Sequence, residues 1–235
     1  MDSLADLDSR VAGCAACPRL VEWREEVGRT KRAAFQDWTY WARPVPGFGP
    51  ADASLLIVGL APAAHGGNRT GRMFTGDRSG DVLYQALYDV GLANRPTAVS
   101  RDDGLALHGV RITSPVHCAP PENKPTPGER DTCRPWLVQE LTILRPALRA
   151  VVVLGAFGWQ AALRALAAVG YAVPRPRPTF GHAVDVALTS VAGKTLHVLG
   201  CYHPSQQNTF TGTLTEPMID EVMRRAKDLA DATER

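Results

Sequence analysis

The sequence has no apolar run approaching the ~18 residues that a membrane helix needs, so no membrane span is expected. Its first ten residues, MDSLADLDSR, are acidic and polar, and we expect neither a signal nor a transit peptide. An excess of charge of one sign is also missing: 26 Lys and Arg face 24 Asp and Glu, for a formal net charge of +2. That excludes the crudest signature of a nucleic-acid binder, a strongly basic chain, and leaves local patches as the route to DNA. No Gly-x-Gly-x-x-Gly or Gly-x-x-x-x-Gly-Lys-Ser/Thr pattern exists, which argues against a dinucleotide or P-loop site. Gly-x-Ser-x-Gly is absent too, and with it the hydrolase nucleophile elbow.

What is present suits a globular α/β protein. Hydrophobic residues make up 45% of the 235 positions, enough for a sizeable core, and the length fits a single domain over residues 1–235. Ser54 to Leu60 is apolar after its first residue apart from Gly59, as befits a parallel strand buried on both faces. Val110 to Val116, Ala150 to Leu154 and Leu196 to Tyr202 are further strand candidates, and His182 to Thr189 alternates like an edge strand. Helical patterns fall between them, at Gly80–Val90, Asp131–Leu144, Phe157–Val169 and Glu216–Ala232. Alternating strands and helices predict a three-layer α/β sandwich around a short, mainly parallel sheet. Ligands of such sheets bind beyond the C-terminal strand ends. The segments leaving those ends (residues 60–80, 117–127 and 203–212) are polar, rich in Gly or Pro and too long to be mere connectors.

Five cysteines stand out in a chain read as intracellular, where disulfides are disfavoured. Cys14 and Cys17 form a C-x2-C pair, and Cys118 and Cys133 lie far along the chain. Four thiolates of this kind hold tetrahedral zinc or an iron–sulfur cluster, and the spacing alone does not choose between them. The bland alternative is four unrelated free thiols. Cys201 closes a core strand and reads as a buried free thiol.

The loop residues carry double readings. Asp77 precedes a helix start, where a carboxylate commonly caps, and Phe74 is of a type that more often packs than stacks on ligands. A lone histidine is usually structural, yet His203 leaves a strand end in a polar turn and could stabilise a departing anion. The glycines and arginines of residues 66–80 allow close approach to a ligand and contact with phosphates.

The stretches GLAPAAHGGNRTGRMFTGDRSG, CAPPENKP and HPSQQN, with the four spaced cysteines, together resemble a family 5 (type B) uracil-DNA glycosylase. The resemblance implies the glycosylase α/β sandwich and a 4Fe–4S cluster on Cys14, Cys17, Cys118 and Cys133. It implies a monofunctional repair enzyme that flips a deaminated base out of DNA and hydrolyses its N-glycosidic bond. Asp77 would place water, His203 would stabilise the leaving base and Phe74 would stack on it. Gly59, Leu60, Ala61, Pro62 and Ala63 would line the base pocket, with Ser114 and Asn123. Asn68, Arg69, Arg72, Lys124, Ser205, Gln206, Gln207 and Asn208 would meet the DNA, double- or single-stranded. The implied setting is a monomer acting at the nucleoid in the cytoplasm.

Two departures sharpen the expectation. GLAPA is wholly non-polar where several related families carry an acid or amide, so the water-placing duty falls to Asp77. Ser114 stands where relatives have an asparagine that reads uracil's edge. Losing a bidentate reader, worth ~1–3 kcal/mol, predicts a broad pocket that accepts uracil, hypoxanthine and xanthine. A trapping protein without turnover is disfavoured, because the stretch HGGNRTGRMF lacks a Lys-Arg-Arg run. A redox-sensing cluster protein would not need polar loops at the strand ends.

Overall fold

The computed structural model describes residues 3–232. In chain order the elements are α1 (Leu4–Ala12), α2 (Pro18–Thr30), β1 (Leu55–Val58), α3 (Gly67–Thr70), α4 (Arg78–Asp89) and β2 (Val110–Thr113). There follow α5 (Pro127–Leu144), β3 (Ala150–Leu154), α6 (Ala156–Ala168), β4 (Asp185–Thr189), β5 (Thr195–Cys201), α7 (Gln206–Phe210) and α8 (Glu216–Asp231). The strands form one sheet in the order β2-β1-β3-β5-β4. All pairings are parallel except β4 with β5, where Asp185–Thr189 runs antiparallel at the edge.

The apolar runs explain the layering. Along β1, Leu55 and Ile57 face a core built with α4 and α8, through Leu83, Leu87, Ile219 and Met223. Leu56 and Val58 face the opposite core, built with α1, α5 and α6 through Leu7, Leu141, Trp159 and Leu163. Both faces of the central strands are therefore buried, which is why they lack polar alternation. The expected strands are found: β3 has the expected bounds and β5 is shifted by one residue. β1, β2 and β4 are shorter, since the chain leaves the sheet at Gly59 and after Thr113, where the polar loops begin, and β4 starts only at Asp185.

The helices α1 and α2 lie outside the expected elements, although Leu4, Leu7 and Val11 in α1 and Leu20 and Val27 in α2 recur at helical spacing on the buried side. Local chemistry fixes their starts. Ser3 and Asp6 form a capping box at α1, and Pro18 follows Cys17 at the first position of α2, where its missing N–H costs nothing. α5 starts at Pro127 rather than Asp131, because Thr126 and Glu129 close a second capping box. α1 is fastened to the body by Arg111 of β2. Its guanidinium pairs with Asp8 at 2.6 Å and with Glu140 of α5, and all but Asp8 are buried.

Candidate active site

Three strand ends converge on one cluster of side chains. At the end of β1, the Gly59 amide donates to the Thr113 carbonyl (2.8 Å) and the chain turns outward. A Cβ at position 59 would sit 2.8 Å from the ring of Phe74, so only glycine lets that ring lie against the strand end. Phe74 adopts φ 52°, a left-handed conformation that an aromatic residue rarely tolerates. It is held by its neighbours: Met73 is buried, and the Tyr84 hydroxyl of α4 donates to the Met73 carbonyl at 2.8 Å. The opposite neighbour of the Phe74 ring is His203, beyond β5, with centroids 6.0 Å apart and planes tilted by 32°. Gly155, at the exit of β3, brings its backbone alongside His203.

Asp77 joins from the start of α4. One carboxylate oxygen accepts the Gly80 amide at 3.0 Å, so the capping reading of this residue holds. Its other oxygen occupies the space that a Cβ on Gly66 would fill, which presses the carboxylate against the loop leaving β1. Burial pushes the Asp77 carboxyl above the ordinary aspartate range, with Asp81 adding to the effect, while the Gly80 and Ser79 amides and Arg69 oppose it. Burial drives His203 the other way, down to about 4, so its imidazole is neutral at physiological pH.

The remaining expected pocket residues divide. Pro62 is buried, and Leu60, Ala61 and Ala63 are half-buried along the loop; Pro62 has no N–H, so it contributes shape and no donor. Ser114 is buried and donates to the Val116 carbonyl at 2.8 Å, so its hydroxyl is already engaged within the chain. Asn123 is exposed in a short turn (residues 121–123) with φ 55°.

The expected phosphate contacts need correction. Arg72 is buried with its guanidinium on Asp103 at 2.7 Å, and it also donates to the Thr75 hydroxyl. Burial alone would push the Asp103 carboxyl up, but Arg72 and the Leu105, Val99 and Ser100 amides hold it well below the usual carboxylate range. Asn68 is fully buried and donates to the Arg24 carbonyl at 3.1 Å. Arg69 is buried between the rings of Phe35 and Trp38. These three side chains are internal and not free to meet a backbone phosphate. Asn208 likewise turns inward, donating to the His203 carbonyl at 2.9 Å. Ser205 caps α7 by accepting the Asn208 amide, while Gln206, Gln207 and Lys124 are exposed.

A second constellation lies at the junction of α2, the segment after β2 and α5. Cys14, Cys17, Cys118 and Cys133 line one small cavity, together with Leu20, Arg24 and His117. Arg24 is buried and donates to the Cys118 sulfur at 3.1 Å and to the Cys14 carbonyl. Burial pushes the Cys118 thiol up to about 11 and the Cys133 thiol up to about 12. Among the described residues, no three His, Cys, Asp or Glu side chains converge closely enough for a single metal ion. Cys201 is buried at the end of β5.

The family model of the uracil DNA glycosylase superfamily matches residues 46–227. The chain belongs to this superfamily. It is 56% identical over 228 residues to a type-5 uracil-DNA glycosylase of Mycobacterium tuberculosis, covering 97% of this chain and 82% of that one. A type-5 uracil-DNA glycosylase of Thermus thermophilus is 49% identical over 220 residues, covering 94% and 95%. One from Pyrobaculum aerophilum is 48% identical over 221 residues, covering 94% and 91%. Membership makes the chain a DNA N-glycosylase, a hydrolase of N-glycosyl bonds. No helix among the described residues is long and apolar enough to cross a membrane.

This glycosylase also uses residues that sequence reasoning passed over. Arg24 gave no signal, because a single arginine in an amphipathic helix reads as solvated. Tyr84 gave a faint one: it is the only hydroxyl-bearing residue on the buried face of α4, where a partner is required.

Proposed function

We propose that this chain excises uracil from DNA, and hypoxanthine and xanthine as well, by flipping the nucleotide out and hydrolysing its N-glycosidic bond to leave an abasic site. The observation that carries the reading is the convergence of Phe74, His203 and Asp77 at the C-terminal ends of β1, β3 and β5. The flipped base stacks on Phe74, with Leu60, Ala61, Pro62 and Ala63 closing the pocket. As the C1′–N bond stretches, the sugar gains oxocarbenium character and the base gains the bonding electron pair. His203, neutral above about pH 4, donates an N–H hydrogen bond to the departing anion and keeps its proton. Asp77, as the carboxylate, accepts a proton from the water whose oxygen bonds to C1′. A Ser114 hydroxyl committed to Val116 leaves no bidentate reader at that position, which supports a pocket tolerant of several deaminated bases.

The four cysteines would hold a 4Fe–4S cluster: their thiols line one cavity, and the resemblance to family 5 glycosylases implies a cluster there rather than zinc. Bound there, a cluster supplies the positive charge that buried thiolates need and ties α2 to α5 and the segment after β2. It takes no part in bond cleavage. Ser205, Gln206, Gln207 and Lys124 would meet the duplex, and the chain would work at the nucleoid as a monomer, one domain over residues 1–235.

The test is incubation with duplex and single-stranded oligonucleotides holding uracil, hypoxanthine or xanthine, followed by alkali cleavage and resolution of any protein adduct. Alkali-labile product from all three bases, with enzyme released, is expected. Uracil-only cleavage overturns the broad pocket, and a stable adduct overturns turnover.

A further inference from the structure

The loop that carries Asp77 is closed by one buried cation. Arg69, on α3, donates from Nε to the His65 carbonyl at 2.7 Å and from Nη2 to the Gly76 carbonyl at 3.0 Å. It thereby fixes both ends of a twelve-residue excursion (65–76), and Asp77 is the next residue. The guanidinium packs against two rings set nearly perpendicular to each other: its carbon lies 3.9 Å from the Phe35 ring centre and 4.1 Å from that of Trp38. Two nearby features align with this brace. The Tyr40 hydroxyl bonds His65 Nδ1 at 3.0 Å and fixes the same end of the loop. Gly66, one residue on, leaves the space that the Asp77 carboxylate fills.

We propose that Arg69 is a positioning residue for the reaction: it sets the place of the Asp77 carboxylate and keeps that carboxylate ionised. The proposal rests on the reading of Asp77 as the group that accepts the water's proton. Its logic is electrostatic as well as steric. The Asp77 carboxylate is buried, which favours its neutral form, and Asp81 on α4 adds a like charge. Tyr84 of α4 also faces this region and stays protonated. Arg69 is the one cation among the groups that act on Asp77, and Asp77 and Tyr40 act on Arg69 in return. Removing the cation leaves burial and Asp81 unopposed except by two amides. The carboxyl then titrates higher, and the acid limb of the rate profile moves up with it.

The experiment compares single-turnover cleavage of a uracil duplex, as a function of pH, for wild type, Arg69→Gln, Arg69→Lys, Trp38→Leu and Asp77→Asn. Melting temperature and duplex affinity are measured alongside. Arg69→Gln should move the acid limb up and lower the neutral-pH rate about tenfold, with duplex affinity within about twofold. Arg69→Lys should restore the limb, because the charge returns, without restoring the full rate, because one ammonium cannot span both carbonyls. Trp38→Leu removes one of the two half-buried rings against the guanidinium and should give a smaller move in the same direction. It serves as the second variant if Arg69→Gln fails to fold. A lowered melting temperature with an unmoved limb and rate in the folded variants overturns the proposal and leaves Arg69 a structural brace. Full activity and an unchanged limb in Asp77→Asn overturn the reading of Asp77 itself, whatever the Arg69 variants do.

Discussion

Asp77 does two jobs with its two oxygens, capping α4 through the Gly80 amide and presenting the other oxygen beside Gly66. Asp77→Asn keeps a capping oxygen and removes the base. We expect single-turnover cleavage to fall by about 10² or more while duplex binding stays nearly intact. The wild-type profile should fall on the acid side at a pH above the ordinary aspartate range. The raised carboxyl is protonated as the pH drops through its shifted value, and a protonated carboxyl cannot accept the water's proton. No limb from His203 should appear near neutrality, since its imidazole is neutral above about 4. Replacing His203 by Ala removes a donor to the leaving base, a loss of the order of 10²–10³ in rate. The loss should shrink for 5-fluorouracil, whose anion needs less help; an equal loss for both bases argues that His203 only packs. At this scale the sequence was informative for residues that leave strand ends and misleading for those inside the loops. Arg72 looked like a phosphate contact because it lies in a stretch dense in glycine and arginine. Its partner, Asp103, lies 31 positions away, and no local pattern announces that pairing.

Among the elements, buried Arg111 and Glu140 with half-buried Asp8 join β2, α5 and α1. Burial pushes the Asp8 carboxyl up even though Arg111 opposes it, so the group depends on the arginine being present. Arg111→Met leaves two carboxylates facing each other in the interior and should cost about 3–5 kcal/mol, read as a lower melting temperature. A change within about 0.5 kcal/mol would mean that α1 is held by its apolar face alone. The central strands were legible as unbroken apolar runs, since both faces of the sheet are covered. β4 was legible as an edge strand from its alternation. The helices α1, α2, α3 and α7 were not: α3 and α7 are too short to show an apolar period, and the short ones in α1 (Leu4, Leu7, Val11) and α2 (Leu20, Val27) were passed over. α3 illustrates the point: its four residues are all buried, and Asn68 within it is anchored to the Arg24 carbonyl of α2.

Across the whole molecule, that anchor links two centres. Arg24 donates to the Cys118 sulfur on one side and accepts from Asn68 of the catalytic loop on the other. If the proposed cluster sits on these cysteines, its loss should therefore loosen the loop that carries Asp77 as well as the N-terminal helices. Protein purified without oxygen should be brown and hold about four irons and four acid-labile sulfides per chain, the content of one such cluster. Iron removal should lower the melting temperature and the cleavage rate together; one zinc per chain in active protein would contradict the cluster. The near-zero net charge leaves local contacts as the route to DNA, and the exposed Lys124 and Gln206–Gln207 segment lies on the loops that leave the strand ends. The central claim is that Asp77 and His203 cleave deaminated bases from DNA beside Phe74. Its most direct test is single-turnover cleavage of uracil and hypoxanthine duplexes by wild type and Asp77→Asn at neutral pH. The account predicts alkali-labile product from both duplexes with wild type and almost none with Asp77→Asn, which still binds DNA. Equal cleavage by the two proteins would contradict it.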